Sequence, residues 1–307
     1  MAYAGAMPSA PSSLPSDRLR AWYDAGEWFD FRRQHIFFRR SSHWDQVEKP
    51  VLLLIHGFPT AAFDWLPMWA GLAQRFRLIA PDLLGFGFSD KPAGHRYSIM
   101  EQADLIEALL AQHHVNHWHT LAHDYGDTVA QELLARQIER GGSNAHGMDS
   151  LVLLNGGLFA ESHRPRLIQK LLLTRLGPWL ARRLNRSRFG RAFSAVFGPD
   201  HQPSSSDLDE IWTLICHNSG QLRAPELLRY IPERKQYRAR WVGALIESPV
   251  PIRFINGLLD PISGAHMVAR YRELIRNADV VELADLGHYP HWEAPDRVLA
   301  ACSPWPS

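Results

Sequence analysis

Leu121-Ala122-His123-Asp124-Tyr125-Gly126-Asp127 sets a carboxylate between two small residues, Ala122 and Gly126, each two positions away. That spacing marks a tight strand-to-helix turn that exposes its central side chain, because only small flanking residues let the backbone bend so sharply. A carboxylate in that place selects the chemistry. Attack on an ordinary ester would give a reactive anhydride and expel a poor leaving group. Attack on saturated carbon gives a stable ester to the protein. The residue type therefore points to opening epoxides or removing halides, and away from esterase chemistry. Asp124 has one competing reading, as the N-cap of the helix that follows.

A carboxylate nucleophile needs a partner to release the product. The ester must be hydrolysed by water, and histidine is the base suited to activate that water near neutral pH. The histidine in turn needs a carboxylate to set its tautomer. Asn256-Gly257-Leu258-Leu259-Asp260 and Asp285-Leu286-Gly287-His288-Tyr289-Pro290-His291 each follow an apolar run, which puts Asp260 and His288 just after late strands. His291 is the rival base and Asp285 the rival acid, although Asp285 precedes the histidine too closely to orient it. His56-Gly57-Phe58-Pro59-Thr60 ends another apolar run. The backbone N–H groups of Phe58 and Tyr125 are the candidate oxyanion donors. His56, Gly57 and His123 are read as support, packing or holding loops. Residues 82–90 are read as a structural loop near the entrance.

These residues must be carried on elements. Val51-Leu52-Leu53-Leu54-Ile55 reads as a strand buried on both faces. Glu27 to Phe31 and His35 to Arg39 suit an edge hairpin. Further strands are expected at 77–80, 118–122, 150–155, 251–256 and 280–283, and helices at 64–74 (capped by Asp64), 98–113, 127–140 and 296–302. This alternation predicts an α/β fold with a mostly parallel sheet and helices on both faces. From residue 158 to 247 the periodicity is helical almost throughout. The expected organisation is a disordered tail at 1–20, a core domain at 21–157 and 248–307, and an inserted helical cap at 158–247.

The chain has 307 residues, and 46% are hydrophobic, enough for a full-sized core. Its net charge of +1 offers no field for nucleic acid. Arginine is dense from Arg164 to Arg191. That suits the solvated face of amphipathic helices, or a basic patch for an acidic partner or a membrane surface. Two cysteines are too few for a disulfide framework, which suggests a reducing, cytoplasmic setting. No apolar run approaches the roughly 18 residues of a membrane span, and the Ala-, Pro- and Ser-rich start lacks the pattern of a signal peptide. No metal-ligand spacing or Gly-rich phosphate loop is present, so no metal and no cofactor are expected. A small apolar molecule is the expected partner.

Taken together, His-Gly-Phe-Pro, His-Asp-Tyr-Gly and Gly-His-Tyr-Pro-His-Trp-Glu-Ala-Pro resemble the α/β-hydrolase families of epoxide hydrolases and haloalkane dehalogenases. The chain order Asp124, Asp260, His288 matches the nucleophile, acid, base order of that fold. Asn155-Gly156-Gly157, His163-Arg164-Pro165 and Arg240-Trp241-Val242-Gly243-Ala244-Leu245 are similar to the group of the mesoderm-specific transcript protein and its bacterial relatives. The resemblance implies cap tyrosines that assist epoxide opening, for which Tyr237 and Tyr230 are the candidates. Tyr237 has an equal reading as a surface tyrosine. Haloalkane dehalogenases hold the halide with a Trp after the nucleophile and often an Asn in the place of Phe58. Here those positions are Tyr125 and Phe58, so a cap tryptophan would have to contribute. Asp127 replaces a usual glycine, and a second carboxylate pointing inward would oppose ionisation of Asp124. The leading expectation is an epoxide hydrolase-like enzyme. The alternatives are a haloalkane dehalogenase and a hydrolase-fold protein that binds without turnover.

Overall fold

The computed structural model describes residue 11 and residues 13–42, 44–141, 146–303 and 305. Eight strands form one sheet: β1 (Glu27–Phe31), β2 (Gln34–Arg40), β3 (Val51–Ile55), β4 (Arg77–Pro81), β5 (His117–His123), β6 (Gly147–Leu154), β7 (Ile252–Gly257) and β8 (Asp279–Leu283). Their order is β1-β2-β4-β3-β5-β6-β7-β8. The β1–β2 and β2–β4 pairs are antiparallel, and every other pair is parallel. Parallel neighbours need crossovers, and the crossing helices cover both faces. All five residues of β3 are buried. Leu53 and Ile55 enter the core on one face of the sheet, Leu52 and Leu54 the core on the other, as a period of two requires.

The core helices are α1 (Asp17–Asp24), α2 (Leu66–Ala73), α3 (Ile99–Gln112) and α4 (Tyr125–Glu139). Between β6 and β7 lie only helices among the described residues: α5 (Leu167–Leu172), α6 (Gly177–Ala181), α7 (Arg186–Ser194), α8 (Ser205–Cys216), α9 (Ala224–Leu227), α10 (Tyr230–Gln236) and α11 (Arg238–Ile246). The chain closes with α12 (Ala265–Leu274), α13 (Pro290–Glu293) and α14 (Pro295–Ala301). No helix among the described residues is long and apolar enough to cross a membrane.

The inserted helices are tied to the core through α4. Glu132 of α4 is buried, accepts from the Trp241 indole at 2.8 Å, and pairs with Arg240 at 2.7 Å and Arg136 at 2.8 Å. Two arginines and an indole donor satisfy a carboxylate that would otherwise be costly to bury. The Arg240-Trp241 stretch thus docks α11 on the helix that follows Asp124.

Local structure departs from the expectation in two places. Part of the expected tail folds: Ser16 caps α1, accepting from the Leu19 amide at 3.1 Å, and Leu19 and Trp22 are buried. Arg18 reaches Glu210 of α8 at 2.6 Å. Residues 1–10 and 12 of that tail lie outside the described residues. Asp64 caps no helix. It sits in a 3-10 turn, Ala62–Trp65, with its carboxyl on the Thr60 hydroxyl, and Pro67 helps start α2 instead. At the far end Trp305 packs on Phe76 and donates to Ser150 Oγ at 2.6 Å, which closes the sheet's lower edge.

Candidate active site

Asp124 joins β5 directly to α4, two residues before the expected helix start, at φ +46° and ψ −101°. A non-glycine residue in this region stores strain, which persists only when the surroundings over-determine it. Its side chain makes no cap hydrogen bond, which removes the N-cap alternative. Gly126 shows what holds the turn. A Cβ there would lie 2.4 Å from the Ile55 carbonyl oxygen and 2.8 Å from that of His56. Both are backbone atoms at the end of β3 and the residue after it, and cannot swing away. Gly126→Ala is therefore expected to destabilise the fold by about 3 kcal/mol, read from the urea midpoint. A loss below about 1 kcal/mol would show that the elbow can relax.

Around that turn the structure brings together the residues that the sequence marks as candidates for the chemistry. The Asp124 Oδ2 accepts from the Phe58 amide at 3.2 Å and lies 4.0 Å from His288 Nε2. His288 Nδ1 donates to Asp260 Oδ2 at 2.7 Å. Asp260 also accepts from Asn155 at 3.0 Å, Ser263 at 2.7 Å and the Ile262 amide at 2.7 Å. All three principal residues are at most 3% exposed. Tyr125, the other expected donor, is the first residue of α4, so its N–H belongs to the helix end with unpaired amides.

The electrostatics follow from this geometry. Burial opposes ionisation of Asp260, but the His288 charge and the hydrogen bonds from His288, Asn155 and the Ile262 amide outweigh it and leave its pKa below the usual value. Burial likewise opposes protonation of His288, yet Asp260 and then Asp124 outweigh it and raise its pKa. The neutral, basic form of His288 therefore requires a pH above the ordinary histidine range. The same shift stabilises the fold below the unfolded pKa, and the contribution is lost as pH rises through the folded one.

The rival groups fall elsewhere. Asp285 lies at the surface in a two-pronged pair with Arg297, at 2.7 and 2.8 Å. His291 packs at a tilt on Trp65, with ring centroids 4.7 Å apart, and burial pushes its pKa down to about 3. His123 Nε2 donates to the His288 carbonyl at 2.8 Å. His56 Nδ1 donates to the Gly57 carbonyl at 2.9 Å while Nε2 accepts from Leu83 at 3.0 Å, and burial lowers its pKa to about 4. Both are neutral struts. Gly57 is needed because a Cβ would stand 2.5 Å from His123 Nδ1 and 3.1 Å from Asp124 Cβ. In the 82–90 loop, Asp82 accepts from Ala62 and Phe88 amides at 2.8 and 2.7 Å.

Two inward residues near Asp124 went unpredicted in position. Asp127 is fully buried, and burial followed by the Asp124 charge drives its pKa well above the usual value, with the Leu154 backbone and the Arg234 charge offsetting part of this. Arg234 of α10 is 3% exposed. It donates to the Asp124 carbonyl at 3.1 Å and to Thr128 Oγ1 at 2.9 Å, and lies 3.7 Å from Asp124 Oδ1. The sequence signal for both was Gly156-Gly157 after Asn155. A Cβ on Gly156 would meet Asp127 Oδ2 at 2.1 Å, and one on Gly157 would meet Arg234 Nη1 at 2.1 Å.

A cavity of about 520 Å³ lies above Asp124 and His288. Phe58, Phe86 and Tyr289 line it from the core, and Leu172, Trp179, Phe189 and Trp212 from the inserted helices. Its walls are mainly apolar, with Lys91, Gln169 and three arginines among the polar groups. Burial lowers the Lys91 pKa to about 7, and its ammonium bonds the Gly87 and Ser89 carbonyls, which holds the 82–90 loop. Neither of the two expected tyrosines lines the cavity. Tyr230 packs behind Phe58 and Tyr125, at 6.2 and 4.9 Å between rings, beneath the Arg234 guanidinium. Burial, then Asp124, raises its pKa, which keeps the phenol protonated. Tyr237 packs on Trp241 at 5.3 Å and does not line the cavity. Tyr289, not considered from sequence, lines it and donates to the Phe58 carbonyl at 3.2 Å.

The Mus musculus mesoderm-specific transcript protein is 44% identical over 299 residues, covering 95% of this chain and 88% of that protein. The Mycobacterium tuberculosis hydrolase LipZ is 39% identical over 292 residues, covering 94% and 98%. The crystal structure of haloalkane dehalogenase DbeA from Bradyrhizobium elkani superposes with a TM-score of 0.75 at 19% identity, covering 91% and 96%, which is a likeness of fold. The family described as alpha/beta hydrolase fold matches residues 50–295, from the strand before the Phe58 loop to the helix after His288. With its mostly parallel sheet, its elbow and these relatives, the chain belongs to the alpha/beta hydrolase fold family.

Proposed function

We propose that this protein is an epoxide hydrolase-like enzyme working through a covalent alkyl–aspartyl ester. The observation that carries the reading is Asp124 at a strained elbow beneath an apolar cavity, with its carboxyl 4.0 Å from a histidine oriented by Asp260. An Asp124 oxygen attacks a ring carbon of the epoxide. The carbon–oxygen bond breaks and its electron pair goes to the ring oxygen, which takes a proton from a tyrosine. Tyr230, kept protonated beside Asp124, and Tyr289, on the cavity wall, are the candidate donors. His288 Nε2 then removes a proton from water as the water attacks the Asp124 carboxyl carbon. The oxyanion is held by the Phe58 amide and by Tyr125 N–H. Collapse expels the alkoxide, which takes the proton from His288 to complete the diol, and the Asp124 carboxyl proton returns to the tyrosinate, restoring the carboxylate.

A halide-releasing reading rests on a separate observation. Trp179 and Trp212 line the cavity and offer indole donors from the inserted helices, in place of the polar clamp that Phe58 and Tyr125 cannot supply. One experiment separates the readings. His288→Gln, which keeps the nucleophile but lacks the base, is expected to accumulate a covalent adduct on Asp124 when incubated with a mixed panel of epoxides and haloalkanes. Intact-protein mass spectrometry reads the result. An adduct that retains the epoxide oxygen supports ring opening, and one lacking the halogen supports displacement. No adduct across the panel would count against turnover and favour a binding protein.

A further inference from the structure

Eight large apolar side chains are exposed among the described residues, and five of them, Leu167, Leu171, Leu173, Leu176 and Trp179, fall between positions 167 and 179. Leu167 is 73% and Leu176 62% exposed. Exposed apolar residues scattered singly need no explanation, but a contiguous patch does. The same stretch is strongly one-signed in charge. Residues 162–199 hold nine Arg and Lys and no Asp or Glu. Among the described residues, only Arg186 of these nine is in an ion pair, with Asp209 at 2.6 Å. Lys170, Arg175 and Arg182 are exposed beside the leucines. Long aliphatic side chains flanked by free cations match the acyl and headgroup layers of an anionic bilayer. A nucleic acid or an acidic protein would use the cations and have no need of the leucines.

The position of the patch ties it to the site. Ile168, Leu172 and Leu180 of α5 and α6 line the cavity, while their neighbours in sequence face outward. Trp179 does both: it lines the cavity and is half exposed, with Arg183 stacked over its ring at 4.1 Å. Tryptophan suits a membrane interface because one end of the ring is apolar and the other can hydrogen-bond. We infer that the exposed face of α5, α6 and the turn between them docks the protein on an anionic phospholipid bilayer. In that pose the apolar cavity opens toward the membrane, and membrane-dissolved molecules reach Asp124 without crossing water. The inference holds whichever electrophile the cavity takes.

The test is flotation of the full-length protein with vesicles of phosphatidylcholine containing about one-third phosphatidylglycerol. Wild type is expected to float with these vesicles, to bind phosphatidylcholine alone far more weakly, and to be released by salt. Leu167→Ser/Leu176→Ser is expected to lose at least about tenfold in affinity with an unchanged thermal midpoint, because both side chains are already in water. Lys170→Glu/Arg175→Glu is expected to lose a similar factor on the anionic vesicles only. Wild type that fails to float overturns the inference. So does a leucine variant that floats like wild type, which would assign the patch to a water-soluble polyanion instead.

Discussion

Asp124→Ala is expected to lower turnover by at least about 10⁴-fold while leaving ligand binding in the cavity within a few-fold of wild type. The size of the effect follows from what the residue does. In the proposed mechanism, every other group around it acts on a bond that Asp124 makes or breaks. The Phe58 amide holds its oxygen at 3.2 Å, His288 stands 4.0 Å away to hydrolyse its ester, and Asp260 orients His288 at 2.7 Å. Without the carboxylate there is no ester to form, so the donors and the base have nothing to act on. The remaining cavity is still an apolar enclosure, which is why binding should survive. The measurement is kcat on a substrate identified with the His288→Gln trap, with thermal unfolding as the control for folding. Turnover within tenfold of wild type would remove Asp124 as nucleophile.

The second large effect is expected at Arg234. Arg234→Met should cost about 3–5 kcal/mol of stability and impair turnover as well. The guanidinium is buried and does three jobs at once. It satisfies the Asp124 carbonyl at 3.1 Å and Thr128 Oγ1 at 2.9 Å, and it sets a positive charge 3.7 Å from the Asp124 carboxyl. Asp127 is buried on the other side of the same turn. Removing the arginine leaves two carboxyl groups in a dry site without their nearest cation, and methionine fills the volume but supplies no donor. Arg234→Lys should recover only part of the loss, since one ammonium cannot replace a planar fork with several fixed donors. Urea unfolding checks the stability, and the rate of adduct formation in a His288→Gln background checks the chemistry. A loss below about 1 kcal/mol with normal adduct formation would reduce Arg234 to a packing residue.

Both residues show how far pattern reading reached into this site. Asp124 was visible because the elbow is local: Ala122 and Gly126 are spaced by the turn itself, and the steric reason lies within a few residues. Arg234 was hidden among many arginines of one helical stretch. Its inward direction depends on the rotational phase of α10 and on the space left by Gly157, which no short window reports. The tyrosines separated for the same reason. Tyr230 and Tyr237 are seven residues apart, two turns of one regular helix, which would put them on one face. The helix instead breaks at Tyr237, where φ is −102° and ψ 18°, and their neighbours differ accordingly. Asp64 was misread as a cap because its position suited one, while the fold uses it in a buried turn beside Thr60.

The sequence alone determined the strand and helix alternation, the helical stretch set within it, and the identity and order of Asp124, Asp260 and His288. These follow from apolar period, steric limits on a turn and residue chemistry, all of which act over short spans. The tertiary structure decided which groups surround them. It placed Arg234 and Asp127 against the elbow, put Tyr289 on the cavity wall and Tyr237 off it, and aimed five apolar side chains outward beside unpaired cations. Those outcomes depend on how helices distant in sequence dock and rotate against the sheet, and that is set by the summed packing of the whole core and by no single motif.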